Sequence, residues 1–423
     1  MRSDNVSEHP VYGIGVKTYG ARGDGSGDDA PSLQAALDAG AAVVVVPRGL
    51  YRVGQTLRVR SGTRLCLHPA AIIRQSDGAG RHSNNFVLTN ADHERGDRDI
   101  TITGGIWDGN AAGNTRGPDQ PGSYTGVLLN FFNVRHLTLH DLELRNPVSY
   151  YSRFCRTRNF LVEHLRFRTA VLRPNQDGIH LGGECEDGTI RHIDARGPGT
   201  PNDDIVALNA DDANQRAQNL GKINGPIRRV HVHDLCAEDA HTLVRLLSCW
   251  SPVEDIDIED VRGGCQICAV NVDAARECAV PVFDPQDPTY ADGAGHLARV
   301  RIRRLRVHRS SGQATKALVD LQTRVHDFII EDFERDMTRD AYPTAPTFQA
   351  QNLPRSSQVI LEGFDDAQRV AAQFPAGTVT TRLAIADEEG GTRYRATATL
   401  ATGDTLKLGG GGFRRLQAEA PDK

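Results

Sequence analysis

The sequence predicts an all-β fold: a single-stranded right-handed parallel β-helix with a capping helix near its N-terminus and antiparallel strands near its C-terminus. Two observations lead to this prediction. Short stretches that alternate apolar and polar residues recur from residue 98 onward at a basic interval of about 25 residues. A second family of such stretches lies between the first, so each turn has several faces. Right-handedness follows from the general preference of parallel crossovers.

The first element in the chain is a helix that caps the solenoid. After a glycine-rich run at 23–27 come two aspartates, Pro31 and the segment SLQAALDAG, which ends at Gly40. An acid at the start, proline in the first turn and glycine past the end are typical of a helix. Such a cap protects the first rung, whose open edge would otherwise pair with other chains. We expect it within about residues 12–60.

The strands that follow repeat the same pattern. Members of the first family include RDITITGGIWDGN, VRHLTLHDLELRN and RNFLVEHLRFRT. The apolar residues at their centres align as Ile102, Leu139, Val162, Ile190, Val232, Ile258, Ile302 and Ile329. The steps between these centres are 37, 23, 28, 42, 26, 44 and 27 residues. A rung of about 25 residues, lengthened by loops in some turns, fits them better than any helical period.

The second strand family alternates with the first. Its members read DDIVALNA, HTLVRLLS, CQICAVNV and TKALVDLQ. Residues 355–423 change character, because TVTTRLAIA, TRYRATATLA and a run of four glycines predict antiparallel strands. We therefore predict a β-helix catalytic domain over residues 1–350, which includes the N-terminal cap, and a C-terminal β extension over 351–423.

Composition excludes several classes of partner. With 49 Lys+Arg against 54 Asp+Glu the net charge is −5, so we expect no nucleic-acid partner. The apolar run at 41–46 is far shorter than the roughly 20 residues that span a bilayer, so we expect no membrane partner. No signal segment is visible, which predicts a cytoplasmic protein if the chain is complete and an extracellular one if a leader was removed. The oligomeric state stays open.

The candidate catalytic residues are three aspartates. Asp177 lies in NQDG, and the adjacent Asp203 and Asp204 lie 26 residues further on, in PNDD. One full turn brings such residues back above one another. Repulsion among three carboxylates raises the pKa of at least one, so the cluster can supply a proton donor and a water-activating base. The same sequences are also ordinary turn sequences, since Asn, Asp and Gly favour turns.

Four further residues are candidate substrate contacts. His241 and Arg245 share one face of a strand in the turn after the aspartates. Tyr151 and Arg153 lie one turn before Asp177, beside Tyr150, where aromatic faces and a guanidinium suit carbohydrate. Packing and surface roles are the alternatives for all four.

At this point the sequence resembles a known family. The opening VKTYGARGDGSGDDAPSLQAALDAG, followed by VVVVPRGLYRV, resembles the start of pectate-lyase-like β-helix enzymes. The later run of TGGIWDGN, NQDG, NDD and AHT resembles the polygalacturonase family of glycoside hydrolases, family 28. The resemblance covers roughly residues 14–275.

The resemblance implies a mechanism. Asp203 corresponds to the general acid that protonates the glycosidic oxygen, Asp177 and Asp204 to the groups that activate water, and His241 to the residue that positions the acid. It implies inversion by single displacement on a polysaccharide or oligosaccharide, which requires carboxylates ~6.5–9.5 Å apart. No metal or other cofactor is implied.

The chain also departs from that family. Gln176 stands where the family has threonine, and Ala240 and Thr242 replace the glycines beside the histidine. The Arg-Ile-Lys motif that grips the substrate carboxylate has no match, because the corresponding rung reads CQICAVNV. Arg245 is the candidate substitute. The sugar is therefore open: neutral, or a uronic acid other than galacturonate.

Two alternatives accompany the hydrolase hypothesis. A polysaccharide lyase or uronate epimerase on the same scaffold would abstract the proton next to a carboxylate, with Arg245 and His241 as the central pair. A non-catalytic or phage-derived β-helix that binds carbohydrate is the third hypothesis, because one fold hosts many functions.

Overall fold

The chain forms the predicted right-handed parallel β-helix. A computed structural model describes residues 13–212, 222–274, 295–311, 316–323, 325–345, 347–350 and four strands between 359 and 409. Most strands in these ranges pair in parallel with a strand one turn away. The apolar core fills the inside of the coil and continues from the first turns to Phe333.

The elements follow the chain in order. A short 3-10 helix spans Val16–Tyr19 and helix α1 spans Ala30–Asp38. The first thirteen strands are β1 Ile14–Gly15, β2 Asp24–Asp28, β3 Val43–Val46, β4 Gly49–Val53, β5 Leu57–Val59, β6 Arg64–Leu67, β7 Ala71–Gln75, β8 Leu88–Asn90, β9 Asp97–Thr103, β10 Ile106–Asp108, β11 Leu129–His140, β12 Glu143–Arg145 and β13 Ser152–Arg168. The others are β14 Ile179–Leu181, β15 Cys185–Pro198, β16 Asp204–Asn209, β17 Ile227–Leu247, β18 Val253–Asp273, β19 Leu297–Arg309, β20 Val319–Leu321, β21 Val325–Arg335, β22 Phe348–Ala350, β23 Val359–Glu362, β24 Val379–Ala386, β25 Thr392–Thr399 and β26 Thr405–Gly409.

The strand register confirms the repeat read from the sequence. The centres predicted for the first family stack directly on one another from Ile102 to Ile302. The last predicted centre is wrong by one residue, because Ile302 pairs with Ile330 and not with Ile329. Both isoleucines are apolar, but only Ile330 is buried in the core. The second family also stacks in register, through Val206, Val244, Val270 and Val319.

Each turn bends at two corner residues with a left-handed backbone. Six successive turns carry such a pair, always five positions apart: His136 and Asp141, Asn159 and His164, Asp187 and His192, Arg229 and Asp234, Asp255 and Asp260, Arg299 and Arg304. Their φ angles lie between 54° and 61°. One left-handed residue changes the direction of the strand, and Asn, Asp and His are enriched in that conformation. The corners therefore enclose a strand segment of constant length.

Opposite charges stack along the corners. Arg229 lies 2.6 Å from Asp187, and Arg299 lies 2.6 Å from Asp255 two rungs further on. These pairs are about half exposed, so each contributes only about 0–1 kcal/mol. Some of the chain's charged side chains thus lie at the outer corners of the coil.

Helix α1 covers the first turns, as predicted. Leu33 and Leu37 are buried in the continuous core. Asp28 fixes the start of the helix, because its carboxylate accepts the backbone N–H of Ala30 at 3.0 Å and that of Gly54 at 2.9 Å.

The predicted antiparallel strands are present near the C-terminus. Strand β25 pairs antiparallel with both β24 and β26. The domain boundary at residues 350 and 351 stays a prediction. Within the ranges given above, no helix combines the length and apolarity of a membrane span.

Candidate active site

The three predicted aspartates meet on adjacent turns. Ile179 of β14 pairs with Val206 of β16, which places Asp177 beside Asp204 at the start of the two strands. The backbone N–H of Gly178 donates to the carbonyl of Asp204 at 2.8 Å. Adjacent strands lie about 4.8 Å apart, so the loops before β14 and β16 form one cluster of carboxylates.

Asp204 is the buried member of this cluster. Its side chain is almost inaccessible, and its Oδ2 has no hydrogen-bond partner in the residues that the structure describes. Burial raises the pKa of Asp204 well above its usual range, and the charge of Asp203 raises it further; Arg245 opposes both effects. Asp204 therefore holds a proton under conditions in which an ordinary aspartate is ionised.

Asp203 and His241 lie at the accessible edge. The Asp203 side chain is 18% exposed and that of His241 is 38% exposed, with Oδ1 and Nδ1 3.8 Å apart. Asn175 donates to Asp203 Oδ2 at 3.3 Å. Burial lowers the pKa of His241, so the imidazole is mainly neutral near pH 7.

This group is also where a metal ion would find the most ligands. Oxygen or nitrogen atoms of Asp203, Asp204 and His241 all lie within 4.8 Å of one another. A cation bound there would require Asp204 to be ionised, because a metal ligand must release its proton.

A buried network that the sequence did not predict holds Asp177. Asp177 Oδ2 lies 2.6 Å from His180 Nδ1, and His180 Nε2 lies 3.0 Å from Asp212 Oδ2. Lys222 forms an ion pair with Asp212 and donates to the Tyr150 hydroxyl at 3.0 Å. The Tyr150 ring stacks on the His180 ring with centroids 4.3 Å apart. Each charge in this network has a partner.

Asp212 is the carboxylate that balances the charge of Lys222 in this network. Burial alone would raise the pKa of Asp212, but the attraction of Lys222 and His180 outweighs burial and holds it well below its usual range. One signal in the sequence pointed to the network: His180 follows Asp177 at an outward position of the next strand. No sequence pattern indicated the ion pair of Lys222, because Lys222 lies outside the repeating strands.

A column of mostly polar and largely buried residues runs beside the cluster. Its members alternate with core residues and stack through successive turns as Thr89, Asn130, Arg153, His180, Ala207, Arg245, Asn271 and Asp320. Three cavities of 660, 760 and 690 Å³ lie elsewhere and are lined by other residues.

Arg245 lies in the column but is engaged by an acid. Its Nη2 donates to both carboxylate oxygens of Asp273, at 3.2 and 3.1 Å. Burial disfavours the charged form, but Asp273, Asp204 and Asp203 outweigh burial and hold the pKa of Arg245 above its usual range. The charge of Arg245 is thus permanent and locally compensated.

The predictions for Tyr151 and Arg153 as substrate contacts are wrong. Tyr151 is fully buried, packs on the Phe167 ring at 4.7 Å and donates its hydroxyl to the Arg168 carbonyl at 3.1 Å. Arg153 is 1% exposed and donates to Asn130 Oδ1 at 2.8 Å. Both residues support the site from within.

Comparison with known proteins agrees with this architecture. Residues 13–111 match the family model described as rhamnogalacturonase A/epimerase, pectate lyase-like. The resemblance to the pectate-lyase-like superfamily is confirmed. The residues that match this model lie in the first turns, before the carboxylate cluster. The match therefore supports the scaffold and carries no information on the chemistry of the cluster.

Parts of the chain are similar in sequence to proteins of different kinds. The chain is 32% identical to the preneck appendage protein of Bacillus phage PZA over 107 residues, which are 25% of this chain and 12% of that protein. It is 29% identical to mannuronan C5-epimerase AlgE1 of Azotobacter vinelandii over 160 residues, 33% of this chain and 11% of that protein. The chain thus spans only a small part of these curated relatives.

Solved structures support the fold alone. PfbA, a surface adhesin of Streptococcus pneumoniae, superposes with a TM-score of 0.60 at 16% identity and covers 94% of this chain and 98% of its own. A ι-carrageenase complexed to ι-carrageenan fragments superposes with a TM-score of 0.53 at 13% identity, covering 70% and 73%. The scaffold therefore occurs in enzymes and in adhesins.

Proposed function

We propose that the protein is a glycoside hydrolase that cleaves a polysaccharide or oligosaccharide by acid/base catalysis with inversion. The observation that carries the proposal is the pair of adjacent aspartates, one buried with a raised pKa and the other half-buried at the surface. Because two neighbouring carboxylates repel each other when both are ionised, such a pair retains a proton at a pH at which a single aspartate has lost its own, which is the requirement for a general acid. In the proposal this proton resides on the accessible Asp203 when it is donated to the glycosidic oxygen, and the donation leaves Asp203 as a carboxylate.

Asp177 is the base in this proposal. His180 contacts one of its oxygens, and the other has no hydrogen-bond partner among the described residues. In the proposal the Asp177 carboxylate activates the attacking water. Asp203 contacts His241 and Asn175, which lies on the same loop as Asp177. Inversion requires an acid and a base about 6.5–9.5 Å apart, with room for water between them.

One comparison also supports a carbohydrate substrate. The carrageenase with the same scaffold was solved with glycan fragments. In the proposed mechanism His241 is a positioning residue, because its neutral ring lies beside the acid.

Substitution of the acid tests the proposal. Wild type, Asp203→Asn and Asp204→Asn are incubated with a panel of neutral, uronate-containing and sulfated polysaccharides, and new reducing ends are measured. Both substitutions are expected to lower kcat by about 10²–10⁴-fold with the fold intact by circular dichroism. Asp187→Asn, an exposed corner acid far from the cluster, is the matched control. Proton NMR of the first product anomer should show inversion.

The pH profile provides an independent check. The acid form of the pair is the active one, and its pKa is raised. Activity should therefore persist below that raised pKa and fall as the pH rises through it. A wild-type level of cleavage by Asp203→Asn would refute the assignment.

The lyase or epimerase hypothesis has weaker support from this geometry. It needs a cation that neutralises the substrate carboxylate, and Arg245 is already compensated by Asp273. The Tyr150 and Lys222 pair has the chemistry of a base, but both residues are buried. An unsaturated product that absorbs in the ultraviolet would establish a lyase. Binding of glycans without any product would establish the non-catalytic alternative.

A further inference from the structure

We infer that the outside of the coil carries a second binding site, in which three stacked arginines bind a ligand that contains a chain of phosphate groups. Arg98, Arg135 and Arg158 form this arginine ladder, and all three lie on strands of the first family. The candidate catalytic aspartates lie at the start of β14 and β16 instead. The inference therefore goes beyond the proposed function and does not depend on it.

The three arginines stand directly above one another. Arg135 of β11 pairs in register with Arg98 of β9 on one side and with Arg158 of β13 on the other. All three side chains are exposed. Neighbouring strands lie about 4.8 Å apart, and a guanidinium is permanently charged. Like charges that face each other on adjacent strands destabilise a sheet, so the ladder is an unfavourable arrangement without a counterion.

The same row of residues avoids this repulsion further along the coil. After Arg158 the register continues through Glu186, Arg228 and Glu254. Arg228 lies 2.6 Å from Glu254 and 3.9 Å from Glu186. Opposite charges alternate there, as they do at the corners of the coil. The ladder is a departure from that alternation over three successive rungs.

No acid in the described part of the chain neutralises the ladder. Arg135 forms no hydrogen bond or ion pair with any residue that the structure describes. Arg98 lies 3.8 Å from Asp99, beyond hydrogen-bond distance. The charge of Arg158 acts on Asp187, but that carboxylate accepts its hydrogen bonds from an arginine of the following rung. The donors of the ladder are therefore available to a ligand.

The ladder lines a concave surface with a volume of 690 Å³. Of the described residues around this concavity, five are arginines and three are acids. Two of the acids are engaged: Asp97 is buried and accepts hydrogen bonds from Ser61, and Glu184 lies 2.7 Å from Arg156. The charge that remains accessible in the concavity is therefore positive.

The chemistry of the ligand follows from this row of guanidiniums. A phosphate group carries about −1.5 to −2 charges at neutral pH and several acceptor oxygens, so one group can bind arginines of two rungs. Arginine matches phosphate with paired N–H donors. The ladder is two rung intervals long, about 10 Å, so a linear chain of phosphates fits it better than a single phosphate. A carboxylate has only one charge and two oxygens.

Calorimetric titration with inorganic tripolyphosphate in physiological salt tests the site. Arg135→Gln removes the middle charge and should raise the Kd about 10- to 100-fold relative to wild type. Arg64→Gln, at an exposed arginine on β6 outside the ladder, is the matched control and should bind as wild type does. Citrate, which has three carboxylates, should bind more weakly than tripolyphosphate. Titration with ATP distinguishes the two sources of such a chain: tighter binding of ATP indicates a nucleotide, and tighter binding of tripolyphosphate a free oligophosphate.

Thermal unfolding tests the argument from repulsion. Without phosphate, Arg135→Gln should raise Tm by about 1–3 °C, because it relieves the repulsion between neighbouring rungs. Tripolyphosphate should raise Tm of the wild type and much less that of the variant. A ligand-free variant that melts at or below the wild-type Tm would overturn this argument.

Three results of the titration would overturn the site itself. They are no binding of tripolyphosphate by wild type, equal Kd values for wild type and Arg135→Gln, and binding of citrate as tight as that of tripolyphosphate. None of these results bears on the hydrolase, because no glycan is present in the measurement. Loss of glycan cleavage in Asp203→Asn tests the hydrolase alone, and the ladder is unchanged in that variant.

Discussion

Asp212→Asn should destabilise the protein strongly, although asparagine has almost the same volume. The Asp212 carboxylate contacts Lys222 and His180, and all three side chains are buried. Removal of one partner from a buried ion pair costs about 3–5 kcal/mol, because the other charge stays buried without compensation. At about 1.4 kcal/mol per factor of ten, the folding equilibrium should fall by a factor of about 10² to 4 × 10³.

Urea denaturation followed by circular dichroism measures this loss. The double variant Asp212→Asn/Lys222→Met removes both charges and should lose less than the sum of the single variants, with a coupling of about 1–3 kcal/mol. The pH dependence has a definite sign. The folded-state pKa of Asp212 is depressed, so its contribution is present above the ordinary value of 3.8 and is lost as the pH falls through the folded pKa.

The reasoning would be refuted by either of two results. The first is a loss below about 1 kcal/mol for Asp212→Asn, which would mean that the ion pair is solvated. The second is simple additivity in the double variant. Lys222→Met alone should be about as damaging as Asp212→Asn, since it leaves the buried acid uncompensated.

Three other substitutions test separate parts of the structure. Tyr151→Phe should lower the free energy of unfolding by about 0.5–1.5 kcal/mol in urea titrations and leave kcat/KM unchanged, because the hydroxyl donates to a backbone carbonyl in the core. A large fall in activity would show instead that Tyr151 contacts the substrate. Arg335→Lys should cost about 2–4 kcal/mol, since lysine cannot reproduce the two hydrogen bonds to Asp340, 2.7 and 2.9 Å long, in a buried site. Gly188→Ala should destabilise by about 1–3 kcal/mol, because a Cβ there would lie 1.9 Å from the Phe160 ring; an unchanged midpoint would contradict that packing.

The repeat could be predicted because the coil imposes one requirement at every turn. An apolar residue must stack on the one before it, and the residues from Ile102 to Ile302 satisfy that requirement wherever the loops between them vary. The same criterion failed at Ile329 because its neighbour Ile330 is equally apolar. The local sequence pattern does not distinguish two adjacent isoleucines. The register with the previous strand determines which of them is buried.

The site could be predicted only where it depended on that register. The 26-residue step from Asp177 to Asp203 is one turn, so their proximity followed from counting. The direction of Tyr151 did not, because it depends on how the ring packs against Phe167 in the core. The ion pair of Asp212 with Lys222 could not be predicted either, because both residues lie outside the strands and the repeat assigns them no position.

The constant spacing of the left-handed corners makes the coil modular. Since the corner-to-corner segment has the same length in six successive turns, all variation in turn length falls in the connections outside it. Those connections include the ones that carry Asp177 and Asp203. New chemistry can therefore be introduced by exchange of the loop that precedes a strand of the second family, provided that the core residues of that strand, such as Val206 and Leu208, are retained. Whole turns could likewise be duplicated or removed between equivalent corners, which would lengthen or shorten the binding face in steps of one rung, about 4.8 Å.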